Sequence, residues 1–465
     1  MGSAKSEVGS VRPPVSVQAG RKGEGASPSV PMTRFAPPAS LLRLLTCGSV
    51  DDGKSTLIGR LLYDCRAVFA DQLAAVETAS KRRGGEVIDL SLFTDGLRWE
   101  REQGITIDVA YRYFSTATRR FILIDCPGHA QYTRNMVTGA SHADLAVILI
   151  DARHGVKEQT RRHAYVAAML GIPELVVAVN KMDLVGWDRS IFESIKADFE
   201  KLRPHLHGAR ASYVPVSALN GDNIVSVSDK TPWHDGSTIL SLLEAAQTEA
   251  RDSVGPARFP VQCIIRPRGR DEREHDFRGY AGQVASGAFR VGDRVRSMAS
   301  GQESVIQEIR ILDARLAECR AHQSVVMTLR DELDIGRGDL LCRADAARPP
   351  TAATEFDADI VWMGAQPMGN GGGKRYLLRH TTRFTPALVS APESVVDLDT
   401  LQPKAGVQML APNDIGRVRI RCATEVFVDG YDACKATGSF VLIDSATCET
   451  VGAGLIRSET DGCPK

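Results

Sequence analysis

From residue 41 onward the chain consists of short apolar runs separated by longer stretches of mixed polarity. Five such runs stand at residues 41–47, 121–125, 145–151, 174–180 and 213–217. Continuous rather than alternating apolar positions predict strands buried on both faces of a mainly parallel sheet. Helical stretches over residues 55–63 and 159–170 lie between them, so a βαβ series and an α/β domain over residues 41–255 are expected. After Gly255-Pro256 the texture changes. Residues 259–265, 279–284, 294–298 and 324–329 read as short alternating strands parted by Gly-Asp or Ser-Gly turns. Ala346-Ala347-Arg348-Pro349-Pro350-Thr351 reads as a linker to a second such block, with strands at 360–364, 387–389, 415–421 and 438–444. The expected architecture is an α/β domain followed by two small all-β barrel domains, over residues 256–348 and 349–465.

Residues 1–40 stand apart. They hold seven Ser, six Pro and five Gly with no apolar period, and read as a disordered N-terminal tail. The full length of 465 residues is about three times the ~150-residue domain prior, in keeping with several domains. Lys and Arg number 57, as do Asp and Glu. That balance removes the basic excess of a protein held to nucleic acid through phosphates, so no nucleic-acid partner is expected. No apolar run approaches the ~20 residues that span a bilayer, so no membrane contact is expected either. The ten cysteines include no C-x-x-C pair, which leaves neither a zinc site nor a disulfide framework to read and suits a cytoplasmic location.

The chemistry is concentrated where the apolar runs end. Gly48-Ser49-Val50-Asp51-Asp52-Gly53-Lys54-Ser55-Thr56 fits G-x-x-x-x-G-K-[ST] between a predicted strand and a predicted helix. Glycines let backbone N–H groups curl around phosphates, and the helix N-terminus adds partial positive charge. Lys54 is expected on the β- and γ-phosphates and the Ser55 hydroxyl on Mg²⁺. Asp125-Cys126-Pro127-Gly128-His129 follows the second run. There Asp125 can hold the Mg²⁺ shell, Gly128 can offer its N–H to a γ-phosphate, and His129 can orient an attacking water.

Asn180-Lys181-Met182-Asp183 and Ser217-Ala218-Leu219 follow the fourth and fifth runs. A carboxylate at Asp183 can accept both the N1–H and the 2-amino hydrogens of guanine, which adenine lacks, so the expected nucleotide is GTP. Between the first two runs lies Trp99-Glu100-Arg101-Glu102-Gln103-Gly104-Ile105-Thr106-Ile107-Asp108. Thr106 on a mobile loop would bind Mg²⁺ and the γ-phosphate, although the same residues also describe a surface charge run joined to an edge strand.

This ordered set, followed by two β modules, resembles the translation-factor superfamily of GTPases. Within it, residues 48–56, 100–114 and 131–136 are similar to the family of large, GTP-hydrolysing subunits of bacterial sulfate adenylyltransferase. Elongation factors favour Asp-His before the Gly-Lys, where this chain has Asp51-Asp52, and Arg before the Gly-Ile-Thr, where it has Gln103. Phe277-Arg278-Gly279-Tyr280-Ala281-Gly282 and Asn413-Asp414-Ile415-Gly416-Arg417 extend the match, which covers nearly all of residues 41–456. Ala130 departs from it, standing where the family has Glu, and the tail is not part of the pattern.

The resemblance implies an α/β P-loop GTPase domain ahead of the two barrels, with GTP and Mg²⁺ as cofactors. It implies catalytic roles for His129, Lys54 and Thr106, and metal ligation by Ser55, Thr106 and Asp125. The activity implied is that of a regulatory subunit coupling GTP hydrolysis to synthesis of adenylyl sulfate and pyrophosphate from ATP and sulfate. The implied partner is a separate small adenylyl-transferring subunit, in a heterodimer. With no second G-x-x-x-x-G-K-[ST], a fused adenylyl-sulfate kinase is not expected. The alternative is an elongation-factor-like translation GTPase binding tRNA, in which Lys374-Arg375-Tyr376-Leu377-Leu378-Arg379-His380 would be a contact. Those residues also fit a half-exposed strand.

Overall fold

A computed structural model describes residues 40–68, 73–74, 76, 90–93, 108–129, 133–247, 255–266, 277–368 and 374–457. Thr106, Ala130 and residues 1–39 of the predicted tail lie outside the described residues.

The first six strands form one sheet: β1 (Leu41–Gly48), β2 (Ala110–Ser115), β3 (Arg120–Asp125), β4 (Leu145–Asp151), β5 (Glu174–Asn180) and β6 (Arg210–Pro215). Their order is β2-β3-β1-β4-β5-β6, with only the edge strand β2 antiparallel to its neighbour. Among the described residues five helices accompany them: α1 (Lys54–Asp64), α2 (Thr133–Ala140), α3 (Glu158–Met169), α4 (Arg189–Glu200) and α5 (Ile239–Ala245). In α1 the residues Lys54, Leu57, Ile58, Leu61 and Leu62 are buried, the i, i+3, i+4, i+7, i+8 stripe of a helix laid on a sheet. Each such leucine contributes ~1.5–3 kcal/mol by leaving water. One apolar layer joins α1 and α5 to the sheet through Leu44, Leu57 and Leu243, and the other joins α2 and α3 through Leu45, Met136 and Ala164.

Register aligns the carboxyl ends of the strands. Thr46 pairs with Asp125, Gly48 with Leu149, and Asp151 with Asn180. Because β1 lies between β3 and β4, the chain order reverses there, and a crevice opens at that edge.

Ten strands follow: β7 (Arg258–Pro260), β8 (Cys263–Ile265), β9 (Gly279–Gln283), β10 (Ala288–Arg290), β11 (Arg294–Ser297), β12 (Glu303–Ile311), β13 (Ala314–Leu316), β14 (Glu318–Arg320), β15 (Ser324–Leu329) and β16 (Leu340–Arg343). The main path runs β7-β16-β11-β12-β15-β9-β8. Its two ends are consecutive in the chain, so the sheet curls back on itself around Phe259, Tyr280, Val295, Met327 and Leu341. The second barrel comprises β17 (Thr351–Trp362), β18 (Arg375–His380), β19 (Arg383–Val389), β20 (Ser394–Val396), β21 (Pro403–Ala405), β22 (Ile415–Val428), β23 (Ser439–Asp444) and β24 (Thr450–Ile456). Six of these close into a ring, β17-β24-β23-β18-β19-β22, sealed by the β17–β22 pairing.

Several strands differ from the sequence reading; β19 begins at Arg383 rather than at 387 and β22 runs on to Val428 rather than ending at 421. The expected strand at 213–217 runs instead over Arg210–Pro215, because its outer half alternates exposed and half-buried residues and Pro215 lacks an N–H. Residues 259–265 are two strands, since β7 pairs with β16 and β8 with β9. β17 begins nine residues ahead of the expected Ile360, at Thr351, within the expected linker. Its polar half holds Glu355, Asp357 and Asp359, which pair in register with Arg421, Arg419 and Arg417 of β22.

The α/β domain packs on the second barrel, whose Val361, Leu401, Ile415, Tyr431 and Leu455 belong to the same apolar cluster as α3. At its start α3 reaches the phosphate-loop side of the sheet, and further along Arg161 donates to Leu398 O at 3.1 Å and pairs with Asp399 at 2.6 Å. The Tyr431 hydroxyl donates to Leu170 O just beyond the helix.

Candidate functional site

The crevice at the carboxyl edge gathers the motif residues from four strands. The loop from Ser49 to Gly53 joins Gly48 at the end of β1 to Lys54 at the start of α1. Gly53 has φ +89°, and a Cβ there would lie 2.3 Å from Asn180 Nδ2, so both backbone conformation and space require glycine. Gly128 lies against the same loop, where a Cβ would come within 2.8 Å of Gly48 O. The Asp125–His129 stretch is thereby seated on the phosphate loop. Lys54 Nζ stands 3.7 Å from Asp125 Oδ1, both side chains nearly closed to solvent. Ser55 follows in the first turn of α1. The Ser49 hydroxyl is buried, with no hydrogen-bond partner among the described residues.

Asn180 ties two motifs together. Its Nδ2 donates to Asp52 O at 2.8 Å, and its Oδ1 accepts from the Ala218 N–H at 2.9 Å. Lys181, at φ +63°, donates from Nζ to Asp51 O and pairs with Asp151 at 3.0 Å. Asp183 is half-buried on the 3₁₀ turn Met182–Val185. The Ala218 and Leu219 carbonyls accept from Arg60 of α1, which holds the Ser217–Leu219 loop to the helix behind the phosphate loop.

Not every motif residue presents its side chain to the crevice. Cys126 and Met182 are fully buried in the core, and burial pushes the Cys126 thiol well above its ordinary value. Their backbone is the part available to a ligand. Val50 and Leu219 are exposed, while Ser217 and Ala218 are buried. His129 is half-buried directly after Gly128.

Motif reading missed Asp151, Arg153 and Lys157. Burial works to raise the Asp151 carboxyl, but hydrogen bonds from the Arg153 side chain and amide and from Lys181 hold it well below the usual carboxylate range. Lys157 reaches Asp52 at 3.4 Å. The only advance signal was a carboxylate ending the third apolar run with basic residues close behind. His163 of α3 is fully buried and pushed down to about 3 by burial and by the nearby Lys54 and Arg162 charges, so it stays neutral at physiological pH.

Comparison with known proteins bears on this geometry. The family model described as the elongation factor Tu GTP binding domain matches residues 39–251, and that of the GTP-eEF1A C-terminal domain-like family matches residues 355–457. Sulfate adenylyltransferase subunit 1 of Teredinibacter turnerae is 49% identical over 417 residues, 89% of this chain and 87% of that protein. The same-named protein of Laribacter hongkongensis is 47% identical over 420 residues, 90% of this chain and 85% of its own length. The bifunctional enzyme CysN/CysC of Mycobacterium tuberculosis is 48% identical over 417 residues, 90% of this chain and 67% of that protein. Among the described residues no helix is long and apolar enough to cross a membrane.

Proposed function

The chain belongs to the sulfate adenylyltransferase subunit 1 family of GTPases, and from that premise we propose that it couples GTP hydrolysis to formation of adenylyl sulfate from ATP and sulfate in sulfate assimilation. Its partner is a small subunit that carries the adenylyl-transfer site, and the complex works in the cytoplasm. The observation that carries the nucleotide half of this reading is Asn180, which holds the phosphate loop and the Ser217–Leu219 loop to one side chain. Guanine then has Asp183 and the Ser217–Leu219 backbone on one side, and its phosphates have residues 48–56 on the other.

Each residue has a distinct role. Lys54 binds the β- and γ-phosphates, and the pre-placed Asp125 fixes its ammonium until they arrive. Ser55 and Asp125 provide the hard oxygen donors that suit Mg²⁺, with Thr106 as a further ligand. When bound, Mg²⁺ neutralises charge across the β- and γ-phosphate oxygens. Gly128 offers its N–H to the γ-phosphate, and His129 orients the water that attacks it. Coupling has a thermodynamic purpose, because the sulfate–phosphate anhydride lies uphill and a switch driven by GTP favours its formation. α3 gives that switch a path, since it runs from Lys157 beside the phosphate loop to Arg161 and Leu170 at the second barrel.

A translation role has less support. Lys374 is held by Asp444 at 2.7 Å, and Arg379 lies over the Phe384 ring, so two of the cations of that Lys374–His380 stretch already have partners. Formation of labelled adenylyl sulfate by the two subunits, with and without GTP, tests the proposal. Tight binding of aminoacyl-tRNA without any GTP effect on that reaction would favour the translation reading.

A further inference from the structure

Lysine is a poor helix N-cap. It has no side-chain acceptor for the free N–H groups of the first turn, and its charge opposes the positive end of the helix dipole. Yet Lys157 occupies the N-cap of α3, with its backbone N–H donating to Thr160 Oγ1 at 3.3 Å. A residue that breaks a local rule in this way points to a gain elsewhere.

The gain is at Asp52. This carboxylate sits inside the phosphate loop, two residues before Lys54, and is 1% exposed. Its Oδ2 accepts the Ser49 N–H at 2.7 Å, which fixes the turn of the loop. Its Oδ1 lies 3.4 Å from Lys157 Nζ. The surrounding charges are otherwise committed. Asp151 takes Arg153 and Lys181, and Lys54 faces Asp125. Lys157 is therefore the one cation paired with Asp52 among the described residues. An uncompensated anion at this position would repel the phosphates the loop exists to bind, in a setting where burial weakens solvent screening.

We propose that Lys157 is a positioning residue for the nucleotide. It neutralises Asp52 so that this carboxylate can order the phosphate loop through Ser49 without opposing a polyphosphate anion. The inference rests on the GTP-binding reading above. It extends that reading to a residue about a hundred positions beyond the loop motif, on the helix that leads to the second barrel.

Titration with a fluorescent GTP analogue, in the full chain, provides the test. Lys157→Met should weaken binding by about tenfold or more, the scale of leaving one buried charge unpaired. The double variant Asp52→Asn/Lys157→Met should bind within about threefold of wild type, because asparagine still accepts the Ser49 N–H and brings no charge. Lys157→Arg should also stay within about threefold. A merely structural Lys157 predicts the opposite, a loss in Lys157→Met that Asp52→Asn leaves unrepaired, and that result would overturn the proposal, as would wild-type affinity in Lys157→Met. Should Lys157→Met not fold, the double variant and Lys157→Arg decide, and a tenfold loss in either counts against it. Failure of the wild-type chain to bind the analogue would instead remove the GTP reading itself.

Discussion

Arg258 of the first barrel, fully buried, meets Asp429 of the second in a two-pronged ion pair, with Nε and Nη2 each 2.8 Å from a carboxylate oxygen. Arg258 also donates to Ala257 O and Arg348 O, and Asp429 accepts from the Thr437 hydroxyl at 2.6 Å. Four of the five guanidinium N–H groups and both carboxylate oxygens of the pair are thus occupied, the condition under which a buried ion pair holds rather than strains its surroundings. The two barrels are joined where β7 begins and β22 ends.

Removing one partner leaves the other charged and buried. Asp429→Ala should therefore lower stability by ~3–5 kcal/mol, read as a shift of the denaturant midpoint. A change within ~0.5 kcal/mol would mean that the pair does not hold the barrels together.

Asp151 predicts a pH dependence. Its folded-state carboxyl is held below the ordinary value of 3.8 by Arg153 and Lys181. A depressed carboxylate contributes stability above its unfolded value and loses it as pH falls through the folded one. Asp151→Asn should be less stable than wild type at neutral pH, with the gap narrowing as pH drops below about 4. Parallel denaturant curves at pH 7, 4 and 3 measure the gap, and a gap independent of pH would contradict the assigned cause.

The motifs of the candidate site are legible in the sequence because they are local. A glycine loop between strand and helix needs only eight consecutive residues, and Gly48 to Ser55 supply them. Contacts across the fold left no such trace. The Asp52–Lys157 pair spans 105 positions, and Asn180 reaches both Asp52 and Ala218 only after β5 has entered the sheet. The missed half of β17 has the same origin. Its Glu355, Asp357 and Asp359 look like loop residues until Arg421, Arg419 and Arg417 stand opposite them. The apolar-run reading also passed over the outer half of β6, whose Arg210 and Ser212 face solvent.

The proposed role of Asp183 in base choice can be tested by substitution. With Asp183→Asn, one acceptor becomes a donor, and preference should move from GTP toward xanthosine triphosphate, which carries oxygen at position 2. Competition binding measures the ratio, and an unchanged preference for GTP would remove Asp183 from base recognition.

His129→Ala should slow hydrolysis far more than it weakens binding, because orienting water matters chiefly in the transition state. Single-turnover rates set beside equilibrium titrations separate the two. Equal losses in both would make His129 a structural residue.

Whether GTP hydrolysis drives the proposed uphill synthesis in a partner is read from net accumulation of labelled adenylyl sulfate, made from ATP and radiolabelled sulfate by the verified two-subunit complex. GTP should raise the amount accumulated, a non-hydrolysable GTP analogue should fail to sustain the rise, and Lys54→Ala should abolish it while the partner's basal synthesis continues. Equal accumulation with and without GTP would contradict the proposed coupling.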